Sequence, residues 1–131
     1  MESITLLKKT LLQEQSFIDK SEKFYVISAT LDKRGRIVAI GRNNPIHTHP
    51  VMQEYAVRAK SPEKSYLHAE ISALIKSRRK ITSIIVIRIN KRGNLAMARP
   101  CPVCMLAIKE AKLKYIEYSD ESGRIIREKL L

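Results

Sequence analysis

Apolar residues recur at roughly helical spacing at Ile4, Leu7, Leu11, Leu12 and Ile18, which predicts an opening amphipathic helix over residues 3–18. FYVISATL and RIVAIG then carry the side chains that suit a pleated sheet and flank the turn DKRG. A β-hairpin is predicted there, with Gly35 able to take positive φ. RNNPIHTHP, with two prolines and two asparagines, reads as a loop. A short helix is predicted near 51–60, and Leu67, Ile71, Leu74 and Ile75 mark the buried stripe of a further helix that ends in the basic KSRRK. ITSIIVIRI has the near-continuous hydrophobicity of a strand covered on both faces. KRGN turns the chain into a short strand near LAMA, and Pro100 and Pro102 open a helix with apolar positions Val103, Leu106, Ile108 and Leu113. The strand KYIEY follows, and after SDESG the chain returns as RIIREKL. That link is too short for a crossover helix, so the last two strands are predicted to be antiparallel. Helices interleaved with strands predict an α/β, three-layer α/β/α architecture around a mixed sheet of about five strands.

Composition narrows the class. The chain has 131 residues, 44% of them hydrophobic, and no repeat or Pro/Ser-rich linker divides it, so 1–131 is expected to be a single domain. Apolar runs such as IIVI at 84–87 fall far short of the roughly 20 residues a membrane span needs. MESITLLKKTLLQEQ mixes both charges with its leucines, unlike a signal or transit peptide, so a cytoplasmic location and no membrane partner are expected. The net charge is +12, from 25 Lys and Arg against 13 Asp and Glu. Such a balance favours polyanionic partners or phosphate-bearing substrates. With no tryptophan and five tyrosines, an extended base-stacking platform is not evident.

The chemistry concentrates in two places. HAE at 68–70 puts two ionisable side chains at the start of an apolar helix, and PCPVC at 100–104 holds the chain's two cysteines. Residues i and i+2 of a helix point about 200° apart, so His68 and Glu70 can share a site only off the helix N-terminus. Cys101 and Cys104 lie on one face, and the flanking prolines put them in a first helical turn. Two helix N-termini converging on one point would be electropositive and would depress thiol pKa values. Two thiolates and a neutral imidazole suit zinc and leave a fourth tetrahedral position for water, which ionises near neutral pH into a hydroxide nucleophile. Glu70, beside the metal without ligating it, could shuttle the proton.

HAE and PCPVC together match the H-x-E…P-C-x-x-C pattern of zinc-dependent nucleobase deaminases. The chain thus resembles the cytidine and deoxycytidylate deaminase superfamily, from about Phe24 to the C-terminus. The resemblance implies a cytidine deaminase-like fold, one Zn2+ per chain on His68, Cys101 and Cys104 with water or hydroxide as fourth ligand, and hydrolytic deamination with Glu70 as the proton carrier. GRNNP at 41–45 looks like the family's G-x-N stretch, making Asn43 the residue that holds sugar or base. Ala69, Pro100, Tyr66 and Arg99, which flank the motifs, are the further substrate-binding candidates. Relatives often complete their pockets across a subunit interface, so a homo-oligomer, dimer or tetramer, is expected.

Other readings of the same residues explain less. A thioredoxin-like dithiol leaves HAE unaccounted for, and a closed structural zinc would need His47 or His49 as a fourth ligand. HTHP resembles the metal motif of JAMM-type isopeptidases, but Ser61 comes too late and no aspartate follows at the required distance. KSRRK is expected to be solvated at a helix C-terminus, with a phosphate contact as the rival role. An antiparallel final strand pair is similar to free-cytidine deaminases and to compact toxin-type deaminases, whereas deoxycytidylate, tRNA adenosine and APOBEC-type enzymes place a helix there. The favoured substrate is therefore a cytosine nucleoside or nucleotide. The +12 charge keeps a single-stranded DNA or RNA base, tRNA included, as the alternative.

Overall fold

The computed structural model describes residues 6, 7, 9, 10, 24–60, 66–90 and 92–130. The elements are β1 (Phe24–Leu31), β2 (Ile37–Arg42), β3 (Asn44–Thr48), α1 (Pro50–Arg58), β4 (Tyr66–Leu67), α2 (Ala69–Lys76), β5 (Ser83–Asn90), β6 (Leu95–Ala96), α3 (Pro102–Glu110), β7 (Tyr115–Ser119) and β8 (Ile125–Lys129). The main sheet runs β2-β1-β5-β7-β8, with β6 paired to the end of β5. β5 and β7 are parallel, and the other neighbours, including the final β7–β8 pair, are antiparallel. The mixed sheet and the antiparallel ending are those the sequence predicts.

Strand alternation separates two apolar faces. Ile27, Ala29 and Leu31 of β1 join Ile85, Ile87 and Ile89 of β5 on one face, where Leu7 of the opening segment packs. Ile84 and Val86 face the other way, with Ile116 and Tyr118 of β7, and meet Ala73, Met105 and Ile108 of the helices. Covering an isoleucine completely stabilises by about 1.5–3 kcal/mol, so the isoleucine-rich β5, buried on both sides, anchors the three layers. Beyond it, Met52 and Ala56 of α1, Ile71 of α2 and Val103, Cys104 and Ala107 of α3 form a helix–helix core.

Three hairpin turns are closed by one device. Asp32, Asn90 and Asp120 each accept, through Oδ1, the backbone N–H groups two and four residues on. Each is followed three residues later by a glycine at positive φ, Gly35 (78°), Gly93 (81°) and Gly123 (86°), a conformation other L-residues rarely take.

Several expectations need correcting. The stretch read as a loop contains β3, which pairs with β4 only at Asn44↔Leu67 and Thr48↔Tyr66 with a register shift between. The prolines and asparagines there mark an irregular ladder, where Pro45 need not donate a hydrogen bond. Leu67, expected in a helix stripe, lies in β4, because α2 begins at Ala69 after His68 as N-cap. The same helix stops at Lys76, so most of KSRRK follows it. Leu113 lies beyond α3 and is buried there. Of the opening helix, Leu6, Leu7, Lys9 and Thr10 are helical, and the rest of 3–18 lies outside the described residues.

α2 is seated unusually close to the sheet. Ser28 Oγ donates to the Ala69 carbonyl at 2.7 Å, and Thr30 Oγ1 meets Ser77 Oγ at 2.7 Å, so β1 ties both helix ends. On β2, a Cβ at Gly41 would collide with the Ala69 carbonyl oxygen and the Ala73 backbone nitrogen. Gly41→Ala is expected to force the helix outward and cost about 1–3 kcal/mol or more, read as a lower urea midpoint with unchanged slope.

Asp32 binds Arg79 Nη1 at 2.7 Å and Arg36 Nε at 2.9 Å. These bonds, Arg79's first, hold its carboxyl far below the ordinary carboxylate range. A depressed carboxyl contributes stability that is full above its unfolded pKa of about 3.9 and is lost as pH falls below it. Asp32→Asn should therefore lower Tm at neutral pH and flatten the acid limb of a Tm-against-pH curve relative to the parent protein. Parallel acid limbs would contradict this.

Candidate metal centre and active site

Two helix starts meet here. His68 is the N-cap of α2 and Cys101 the N-cap of α3, and neither side chain caps its own helix. Their carbonyls accept the first helical bonds, from the Ser72 N–H at 3.0 Å and the Met105 N–H at 2.8 Å. Cys101 is thus one position earlier than the first helical turn expected of it, while Cys104 lies inside that turn. Pro102 between them costs no hydrogen bond, since the first helical N–H has no intrahelical acceptor.

His68 Nδ1 lies 3.2 Å from Cys104 Sγ and 3.7 Å from Cys101 Sγ. All three donor atoms fall within 4.8 Å of one another, the one such group among the described residues. A tetrahedral zinc, with Zn–S of about 2.3 Å and Zn–N of about 2.0 Å, sets its ligand atoms roughly 3.5–3.8 Å apart. The donors therefore fit zinc in type and in spacing.

A hydrogen bond from Cys104, with help from His68, holds the Cys101 thiol down to about 3, while that same bond and burial push the Cys104 thiol up. A cation placed between them would displace the remaining proton and use both thiolates. Glu70 sits in the first turn of α2, buried, with its carboxyl beside Cys104. Burial is the main cause that raises its pKa, so the group is suited to holding a proton as well as releasing one.

A cleft of about 290 Å3 opens in front of this cluster. Asn43, His68, Ala69, Glu70, Arg99 and Cys101 line it, which brings six of the sequence-derived candidates to one place. Pro100 is buried beside Cys101 and is not part of the lining. Tyr66 and His47 belong to β4 and β3, whose side chains lie outside the described residues. His49 is accounted for otherwise: its Nδ1 accepts the Val51 N–H at 3.1 Å and caps α1. Arg99 is held by Glu128 of β8, Nε to Oε2 at 2.9 Å, so a phosphate would have to compete with a carboxylate for it.

Val26, Val86, Arg88, Met97 and Ala98 complete the walls and were not singled out by sequence. For Arg88 a signal existed. It has the same strand parity as Ile84 and Val86, which places a charge on the helix-facing side of an otherwise apolar strand. Its Nη1 donates to the Met97 carbonyl at 3.3 Å. Ser119 braces the segment leading to Cys101: its hydroxyl donates to the Ala96 carbonyl at 2.8 Å and accepts the Arg88 N–H at 3.1 Å, while its carbonyl accepts the Ala98 N–H at 3.0 Å.

Residues 1–119 match the family model described as the cytidine and deoxycytidylate deaminase zinc-binding region. Among solved structures, the chain is similar to the cytidine deaminase from Mycobacterium leprae, at 17% identity over 92% of this chain and 88% of that one, with a TM-score of 0.49. A mutant cytidine deaminase from Mycobacterium tuberculosis is similar at 19% identity, over 92% and 86% of the two chains, also with a TM-score of 0.49. No curated protein matches the sequence significantly. The family match takes in the histidine and both cysteines of the metal cluster, and the chain belongs to the cytidine and deoxycytidylate deaminase family of zinc-binding proteins.

Proposed function

We propose that the protein hydrolyses the exocyclic amine of cytosine in a nucleoside or nucleotide (cytidine, deoxycytidine or a monophosphate), giving the uracil product and ammonia. The observation that carries this reading is the placement of Glu70 beside the His68, Cys101 and Cys104 donors at the floor of a 290 Å3 cleft. Zinc, when bound there, supplies a Lewis acid that brings the ionisation of a water in its fourth position near neutral pH.

The protein's own residues do the rest. Glu70 takes a proton from the attacking water and delivers it to the ring nitrogen; it then takes the proton of the new hydroxyl on the ring carbon and carries it to the departing amine as the carbonyl forms and the C–N bond breaks. Its raised pKa suits a group that must both accept and donate in one cycle. Asn43, at the cleft wall after β2, holds the sugar or the base edge. Val26, Val86 and Met97 give the cleft apolar sides against which the ring can pack. The antiparallel β7–β8 pair supports the free-cytidine side of the family over the branches that place a helix before the last strand.

A second reading, deamination of a base in single-stranded DNA or RNA, draws on the +12 charge and on Arg88 and Arg99 at the cleft. A homo-oligomer that closes the cleft from a neighbouring copy is compatible with either.

Glu70→Gln should keep its zinc by elemental analysis and lose turnover of cytidine or its monophosphates by about 100-fold to 10,000-fold. Zinc retention with undiminished turnover would remove Glu70 from the reaction. Asn43→Ala should leave zinc content and Tm in place and lower kcat/KM by about tenfold, the size of one lost hydrogen bond of about 1–1.5 kcal/mol. Kinetics equal to the parent protein would show that another residue holds the sugar or base.

A further inference from the structure

At the far end of the sheet from the metal cluster, three segments meet around a second cleft of about 370 Å3. They are the β1–β2 turn, the α2–β5 connection and the α3–β7 connection. Thr82, in its wall and immediately before β5, precedes Arg88 of the catalytic cleft by six residues, about 20 Å at roughly 3.3 Å per residue. The two clefts are therefore separate.

The lining is cationic. Lys33, Arg34, Lys80, Lys112 and Lys114 are exposed along it and have no carboxylate partner among the described residues. Arg36 and Arg79 also line it, both bound to Asp32, the acid of the wall. Asp32 is saturated: besides the two guanidinium groups it accepts the N–H groups of Arg34 and Arg36 at 2.9 and 3.0 Å. It thus fixes two arginines in place without neutralising the five remaining cations. Those arginines stay 64% and 49% exposed, and Arg79 Nη2 also reaches the Ile37 carbonyl at 3.5 Å.

Folding does not require this charge. The floor is held by backbone bonds, from the Thr82 N–H to the Leu31 carbonyl at 2.7 Å and from the Lys114 N–H to the Thr82 carbonyl at 2.8 Å. Cations grouped around one cleft add their potentials there, which draws a polyanion toward it. The cleft continues past Asp32, Lys33 and Thr82 into a second hollow of about 390 Å3. There Arg127 lies 3.9 Å over the ring of Tyr115, beside the buried Glu117. A cationic groove leading to an aromatic ring under a guanidinium suits a polymer whose phosphates and bases bind in succession.

We propose that this distal cleft holds the phosphate backbone of single-stranded nucleic acid, with the Tyr115–Arg127 stack as the neighbouring base contact. The site is independent of the deamination assignment, because it uses none of the residues placed at the metal cluster. It provides a binding surface whichever cytosine substrate the enzyme takes.

The test is fluorescence anisotropy of a labelled oligothymidine of about 20 nucleotides, which carries no exocyclic amine, against the zinc-loaded protein from about 50 to about 200 mM salt. Five backbone contacts should give a slope of about −3.5 in log affinity against log salt. Lys112→Gln/Lys114→Gln, and separately Lys33→Gln/Arg34→Gln from the opposite wall, should each weaken binding about tenfold and reduce the slope by about 1.4. Both pairs should keep the parent's Tm and its turnover of free cytidine. A charge-matched pair outside the cleft, Lys60→Gln/Arg92→Gln, should bind like the parent protein. Equal losses from the remote and cleft pairs, or none from either cleft pair, would overturn the proposal. So would tripolyphosphate binding to the cleft without any binding of oligothymidine.

Discussion

The close seating of α2 on β1 and β2 is the constraint on which the site rests. Gly41 presents no side chain to the Ala69 carbonyl, and Ser28 bonds that same carbonyl from the neighbouring strand. With the first residue of the helix fixed from two sides, His68 is held at the cap and Glu70 in the turn behind it. Cys104 adds the second restraint, because it belongs both to the donor cluster and to the core shared by α1, α2 and α3. The metal donors are therefore tied to the packing of the whole helical layer. A displaced α2 would disturb the ligand geometry and the cleft together.

Electrostatics divides the molecule into two ends. At one, burial sets the chemistry: it raises the Glu70 carboxyl, and the hydrogen bond between the thiols lowers Cys101 and raises Cys104. At the other, exposed lysines and arginines surround a single saturated aspartate. Seven of the chain's 25 lysines and arginines line this second cleft, about 20 Å away at roughly 3.3 Å per residue of strand.

Much of this was legible in the sequence where local chemistry is strong. β-branched residues marked β5, the flanking prolines marked the start of α3, and the short SDESG link fixed the antiparallel ending. HAE and PCPVC pointed to the donor set through a known zinc-deaminase pattern, and the fold brings those three donors together. Where a partner distant in sequence decides, reading failed. RNNPIHTHP carries loop residues, yet a two-residue strand elsewhere recruits it into a ladder. Ser28 and Thr30 alternate with apolar neighbours, but nothing local says that their hydroxyls would anchor a helix. Arg79 within KSRRK reads as solvated until Asp32 is brought beside it. The shared Asx turn of Asp32, Asn90 and Asp120 was visible as three D/N-x-x-G stretches, and only the common hydrogen-bond pattern shows them to be one device.

The most direct test of the central claim, that these donors hold a catalytically open zinc, is X-ray absorption at the zinc edge on the purified protein. An open catalytic site predicts about one zinc per chain, with two sulfur neighbours at about 2.3 Å and one imidazole nitrogen with one lighter oxygen ligand at about 2.0 Å. A second imidazole, a third sulfur, or substoichiometric zinc would contradict it.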